Sequence, residues 1–212
     1  MGRLILNSRG LNTKIGCNQI LEKIKEEILA EKDEGLSDKK MFLVSFPPYG
    51  VDELIVRNCV EILGFQRENL YLSADGIPKD ISPDFVFVTE GNTFEVLDYM
   101  RKQFLIAYIQ DLVKEKGTTY IGSSAGAMIA GSDIMLARDF DSNFVRMIDF
   151  TALHLFDGTI LPHYEKENFK RYMENIEPHI LNRYGKIFSV SNEEVIVMEG
   201  DLCDNECHNE GK

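Results

Sequence analysis

The chain is short of positive charge, of cysteine and of long apolar runs, and each shortage removes a class of function. Twenty-three Lys and Arg stand against 35 Asp and Glu in 212 residues, a net charge of −12. Nucleic-acid binding needs a basic footprint on which to track phosphates, and no segment supplies one. Anionic membrane surfaces are excluded on the same ground. No apolar run approaches the roughly 18 residues of a membrane span. The opening "MGRLILNSRG" is broken by Asn7, Ser8 and Arg9 too soon for a signal peptide, and Leu6 stands where a myristoylation pattern needs Ser or Thr. These features predict a soluble, cytoplasmic protein. Four cysteines make no disulfide scaffold at this length. Cys203, Cys207 and His208 share a polar tail whose spacing lacks the second half of a metal site, so neither metal nor cofactor is expected.

What is present is a core's worth of apolar residues, 44% of the chain, in short β-branched or aliphatic runs alternating with charged amphipathic stretches. That alternation is the mark of βαβ units and a largely parallel sheet. Strands are predicted at 3–8, 41–46, 69–73, 84–89 and 118–122. Helices are predicted at 18–32, at 51–64 closed by Gly64, over 90–117 with a break near Gln103, and at 124–131. Beyond these come "SDIMLA" (132–137), an acidic loop, a strand "GTILP" (158–162), a helix near 166–183, and two closing strands, "KIFSVS" and "EVIVMEG". The expectation is one α/β domain over 1–202, followed by a polar tail over 203–212. In such sheets ligands bind beyond the carboxyl ends of the strands, which singles out the loops 7–16, 46–52, 89–93, 122–126 and 162–166.

The fourth of these loops carries chemistry. Gly122-Ser123-Ser124-Ala125-Gly126 matches G-x-S-x-G, in which small neighbours let the backbone turn sharply between strand and helix and expose a serine hydroxyl. Only Ser124 has glycine two residues before and two after. The bare pattern arises by chance about once in a dozen chains of this length, so its weight comes from lying after an apolar strand and before a helix of small residues. A serine needs a base to take its proton. Of the four histidines, His154 lies in an apolar stretch and reads as a packed or hydrogen-bonded core residue; His179 begins a helix, and His208 is in the tail. His163 directly follows a predicted strand and is the expected base. Asp139 or Asp141, between serine and histidine, could orient the imidazole.

These residues resemble the peptidase E and cyanophycinase family of serine peptidases. The resemblance is carried by "FVTEGNTFEVL" (87–97), "YIGSSAGAM" (120–128) and "ILPHY" (160–164), in the family's order and approximate spacing. It implies a three-layer α/β/α sandwich with a largely parallel sheet, on a scaffold like that of class I glutamine amidotransferases and broadly flavodoxin-like. It also implies Ser124 as nucleophile, His163 as base and Asp139 as acidic partner, with Asp141 in reserve. The oxyanion hole would be the N–H groups of Gly91 and Ala125. Family members can also carry a glutamate late in the chain, at a place that falls here around Asn192 or Glu193.

Two departures stand out: Glu90 where the family usually has glycine, and Ser123 where peptidase E has tryptophan. Ser123, Asn92 and Arg171 are the expected substrate contacts, with Arg138, Arg146 and Lys170 as further cations. The implied substrate is a short peptide, such as a dipeptide with N-terminal aspartate, cleaved by a monomer or homodimer. Two other functions compete. A non-catalytic ligand-binding or regulatory protein on the same scaffold would explain Glu90, and an α/β-hydrolase esterase shares the serine signature but lacks an HGGG-like loop here. Glutaminase chemistry on this scaffold uses cysteine, and neither Cys17 nor Cys59 is in place for it.

Overall fold

The computed structural model describes residues 2–29, 35–44, 51–165, 173–174 and 186–199. Six strands form the central sheet: β1 (Arg3–Asn7), β2 (Met41–Val44), β3 (Leu70–Leu72), β4 (Phe85–Val88), β5 (Thr119–Ser123) and the late strand Val195–Glu199. Their order is β3-β2-β4-β5-β1, closed by Val195–Glu199. The first five are parallel, and the last pairs antiparallel with β1. Two further strands, β6 (Thr159–Pro162) and β7 (Ile187–Val190), form a separate parallel pair, so Val195–Glu199 is β8. The two closing strands therefore exist as expected but do not pair with each other; each joins a different sheet.

Strand periodicity sorts the apolar residues into two layers. Leu4, Leu6, Val86, Val88 and Tyr120 point to one face and pack with α3 (Thr93–Lys102), α4 (Leu105–Lys114) and α5 (Ala125–Ile129). Ile5, Phe85, Phe87 and Ile121 point to the other and meet α1 (Lys14–Glu27) and the π-helical turn Cys59–Leu63 that continues α2 (Val51–Asn58). Because both faces are covered, the strands are apolar throughout rather than alternating. The result is the expected α/β/α sandwich.

Local chemistry sets the helix ends. The first helix spans 14–27 rather than 18–32, because Thr13 caps it: its Oγ1 accepts from Gly16 N–H at 3.0 Å. Gly64, at φ +86°, closes the second segment as read from the sequence. The break near Gln103 is real, with Phe104 in the left-handed region at φ +58°. In "SDIMLA" Asp133 makes one bridge to Thr151, and Met135–Asp139 is a 3-10 turn. Most of the predicted helix near 166–183 and the whole tail from 203 lie outside the described residues. Among the described residues no helix is long and apolar enough to cross a membrane.

The first helix packs so tightly on the loop before it that position 16 has no room for a side chain. A Cβ on Gly16 would stand 2.3 Å from Gly10 O and 2.5 Å from Arg9 O, backbone atoms that cannot swing aside. Gly16→Ala is expected to cost about 1–3 kcal/mol in urea unfolding, the usual range for overpacking. Gly35→Ala, where nothing lies within 4 Å, is the control and should change stability by less than about 0.5 kcal/mol.

Candidate active site

The carboxyl ends of β1, β4, β5, β6 and β7 converge on one place. Ser124 follows β5 directly and holds φ +50°, ψ −106°, a conformation that non-glycine residues adopt only when their surroundings force it. The forcing is visible in the flanking glycines. A Cβ on Gly126 would lie 2.1 Å from Val88 O, and one on Gly122 would lie 2.6 Å from Gly126 O. Hydrogen bonds hold the turn in place: Ser124 N–H donates to Asn7 O at 2.9 Å, Gly126 N–H to Thr89 O at 3.1 Å, and the buried Tyr120 hydroxyl to Gly126 O at 2.7 Å.

The serine hydroxyl meets the imidazole: Ser124 Oγ lies 2.9 Å from His163 Nε2. His163 follows β6 and, like the serine, sits at positive φ, +60°. Its backbone N–H donates to Ser8 Oγ at 2.9 Å, and that hydroxyl donates onward to Val190 O at 2.7 Å. On the far side of the ring, Nδ1 lies 2.8 Å from Asn192 Oδ1. Since an amide oxygen only accepts, Nδ1 carries the hydrogen and Nε2 is left free to accept from the serine. Asn192 stands two residues past β7, so base and orienting group come from neighbouring parallel strands.

The turn carrying Asn192 is itself tied down. Gln19 Nε2 donates to Asn192 O at 3.2 Å, Ser191 N–H to Glu194 Oε2 at 3.1 Å, and Arg9 Nη2 lies 3.3 Å from Glu193 Oε1.

Not every expected residue takes its expected place. The partner of the imidazole is Asn192, not an aspartate from the 139–141 loop. Asp141 Oδ2 instead accepts from Thr93 N–H at 2.8 Å and Thr93 Oγ1 at 2.6 Å, at the start of α3, while Asp139 is exposed. Ser123, expected to line the pocket, is fully buried and donates to Asn7 Oδ1 at 2.7 Å. Its small size serves packing under the turn. Asn92 caps α3: its Oδ1 accepts from Phe94 and Glu95 N–H, and its Nδ2 donates to Ser142 O at 2.9 Å, so both ends of the amide are engaged. Arg171 and Lys170 lie outside the described residues; Arg138 and Arg146 are exposed. His154 is hydrogen-bonded to Asp157, as one reading had it, but on the surface rather than in the core.

Sequence reading missed Ser8 and Arg9. The first acts across 155 positions of chain, and no local pattern signals such a contact.

Neither Ala125 N–H nor Gly91 N–H has a hydrogen-bond partner among the described residues. No group of three or more His, Cys, Asp or Glu able to hold a metal occurs among them either.

Beside Gly91 lies Glu90, whose Oε2 accepts from Gly10 N–H at 3.1 Å. Burial pushes its carboxyl up from 4.5 to about 7, against a smaller downward pull from the Gly10 hydrogen bond.

A serine on a forced turn, in contact with an oriented histidine beside free backbone N–H groups, defines a nucleophilic hydrolase centre on a parallel α/β sheet. The sequence profile of peptidase family S51 matches residues 55–205, and the chain belongs to that family, hence to the serine-type peptidases. An uncharacterized peptidase of Listeria monocytogenes is 30% identical over 150 residues, covering 68% of this chain and 72% of its own. A Haemophilus influenzae protein named peptidase E is 32% identical over 61% of each chain. A Drosophila melanogaster protein named "Probable alpha-aspartyl dipeptidase" is 32% identical over 57% of this chain and 52% of its own. The matched stretch thus spans about half to three fifths of these last two relatives. Among solved structures, a candidate peptidase E from Listeria monocytogenes superposes with a TM-score of 0.62 at 25% identity, covering 93% of this chain and 98% of that one.

The Glu90 carboxyl makes stability depend on pH. Unfolded, it ionises near 4.5; folded, only near 7. Between those values the folded chain holds a proton that the unfolded chain has released, so stability falls as pH rises through this window and levels off above it. The expected fall is roughly 2–3 kcal/mol. Urea unfolding at intervals from pH 4.5 to 8 should show it in the wild type and not in Glu90→Gln.

Proposed function

We propose that this peptidase hydrolyses short peptides, dipeptides with N-terminal aspartate among them, through an acyl-enzyme formed on Ser124. The observation that carries the reading is the 2.9 Å contact between Ser124 Oγ and His163 Nε2, made by a serine held at φ +50°. Ser124 Oγ attacks the scissile carbonyl carbon while its proton passes to His163 Nε2. The carbonyl oxygen, now an anion, is received by the N–H groups of Ala125 and Gly91. Collapse of that intermediate breaks the C–N bond, and the imidazolium returns its proton to the departing amine. Water then attacks the ester with the same histidine as base, releasing the acid and restoring the hydroxyl. The aspartyl preference draws on the name of the Drosophila relative.

Asn192 takes the place of the acidic third member in this scheme. Its Oδ1 fixes the tautomer as a carboxylate would, but a neutral amide stabilises the imidazolium less. The arrangement parallels the Cys-His-Asn set of papain-like proteases, with oxygen as nucleophile. On this reading Arg9 exchanges its contact with the exposed Glu193 for an acidic side chain of the substrate. The protein's overall charge of −12 repels such a substrate, so recognition depends on local cations.

Three variants test this on a panel of dipeptides with and without N-terminal aspartate. Ser124→Ala should abolish turnover of whichever members the wild type cleaves; undiminished turnover would end the reading. Asn192→Ala should lower kcat by about tenfold or more with KM nearly unchanged, since the group orients the base and does not bind substrate. Asn192→Asp should keep or raise kcat, because a carboxylate accepts the same hydrogen and adds charge.

A further inference from the structure

Nothing in the hydrolysis just described uses the carboxyl of Glu90, yet it lies one residue before Gly91, whose N–H is assigned to the oxyanion. Its side chain turns back under the loop between β1 and α1. Oε2 takes the Gly10 N–H at 3.1 Å, and Oε1 is buried with no partner among the described residues. The fit is close: a Cβ on Gly10 would stand 2.4 Å from Oε2 and 2.8 Å from the carboxyl carbon, so any other residue there would displace the Glu90 carboxyl. Two positions before Gly10 is Ser8, whose hydroxyl accepts the N–H of His163. The Glu90 side chain therefore joins the loop that receives the oxyanion to the loop that supports the base.

We propose that Glu90 is a positioning residue for the oxyanion loop that serves in its neutral form: the protonated carboxyl docks residues 90–91 against Gly10, and ionisation opposes catalysis. The proposal rests on the serine-peptidase reading above and adds a second ionisation to it. Two physical effects give the sign. A carboxylate beside the oxyanion site repels the negative charge that develops there. An anion with one oxygen buried and unpartnered is also drawn toward water, and a Glu90 side chain that swings out gives up the Gly10 contact that docks the peptide carrying Gly91 N–H. Gly91, at φ +137°, gives that peptide a hinge that other residues rarely allow.

Among the described residues no group around Glu90 offsets the charge. From α1 the titratable neighbour is Cys17, whose thiol is pushed up to about 11 by burial and, second, by Glu90 itself, so it stays neutral. Arg9, next to Gly10 in the loop, is engaged by Glu193. With burial holding the Glu90 carboxyl near 7, deprotonation falls within the range where a histidine base works.

The test is the rate of Ser124 labelling by diisopropyl fluorophosphate as a function of pH, since displacement of fluoride by Oγ builds negative charge on a phosphoryl oxygen in the same hole. The wild type should give a bell: an acid limb from protonation of the base, and an alkaline limb that lowers the rate about tenfold by pH 8, one unit above the Glu90 midpoint. In Glu90→Gln the alkaline limb should vanish, leaving the rate within about twofold of its maximum at pH 8. A purely structural role would scale the whole curve and keep its shape. Should the variant not fold, the side-chain 13C titration of Glu90 in the wild type takes its place, and its midpoint must coincide with the alkaline limb. A labelled wild type whose alkaline limb persists in Glu90→Gln, or sits apart from the Glu90 midpoint, overturns this proposal alone. A wild type never labelled at any pH overturns the serine-peptidase reading and this proposal with it.

Discussion

The site depends on how closely the backbone after Ser124 approaches β4. With Gly126 lying against Val88 O, the chain can turn out of β5 and into α5 within two residues, and the serine between them is pushed to positive φ. The same approach lets Gly126 N–H reach Thr89 O, the residue before the Glu90-Gly91 loop. One steric condition thus exposes the nucleophile and brings the oxyanion loop alongside it. The strain is held by packing: Tyr120, fully buried below, donates to Gly126 O, and Asn7 on the neighbouring strand takes the Ser124 N–H.

The base is held by a different means. His163 leaves the small sheet of β6 and β7, not the main sheet, and is brought to the serine by hydrogen bonds from two distant segments. Ser8, after β1, takes its N–H; Asn192, after β7, meets its ring; and Arg9 to Glu193 joins those two segments. The last contact is an ion pair with an exposed carboxylate and contributes little energy of its own. Its value is geometric, in closing a ring of contacts around the imidazole. Steric exclusion fixes the nucleophile, whereas polar pairing fixes the base, and the oxyanion loop between them is joined to both through Thr89 and Glu90.

Much of this was legible in the sequence where a rule acts over a few residues. The strands, Gly64, the break at Gln103, the serine turn and the position of His163 after a strand follow from periodicity, turn chemistry and the sheet-edge rule. Local patterns misled where an outcome depends on a distant partner. Asp139, with Asp141 in reserve, was expected beside the imidazole, yet Asp141 is engaged by Thr93, 48 positions earlier, and the ring meets Asn192. Ser123 looked like a pocket residue because its neighbour is one, but successive residues of a strand face opposite ways and it meets Asn7, 116 positions away. Asn192 was bracketed only through a family resemblance, since an asparagine in a short turn carries no sign of a histidine 29 residues before it. Glu90, which looked like a sign of decay, occupies the space that Gly10 leaves open, a fit between loops 80 positions apart.

The central claim is that one serine of the adjacent pair is a nucleophile activated by His163. Tandem mass spectrometry of the peptide spanning residues 120–131 after fluorophosphonate treatment tests it most directly. The account predicts an adduct on Ser124 alone, none on Ser123, and loss of the adduct in His163→Ala. An adduct on Ser123, or one on Ser124 that forms equally fast without the imidazole, would contradict it.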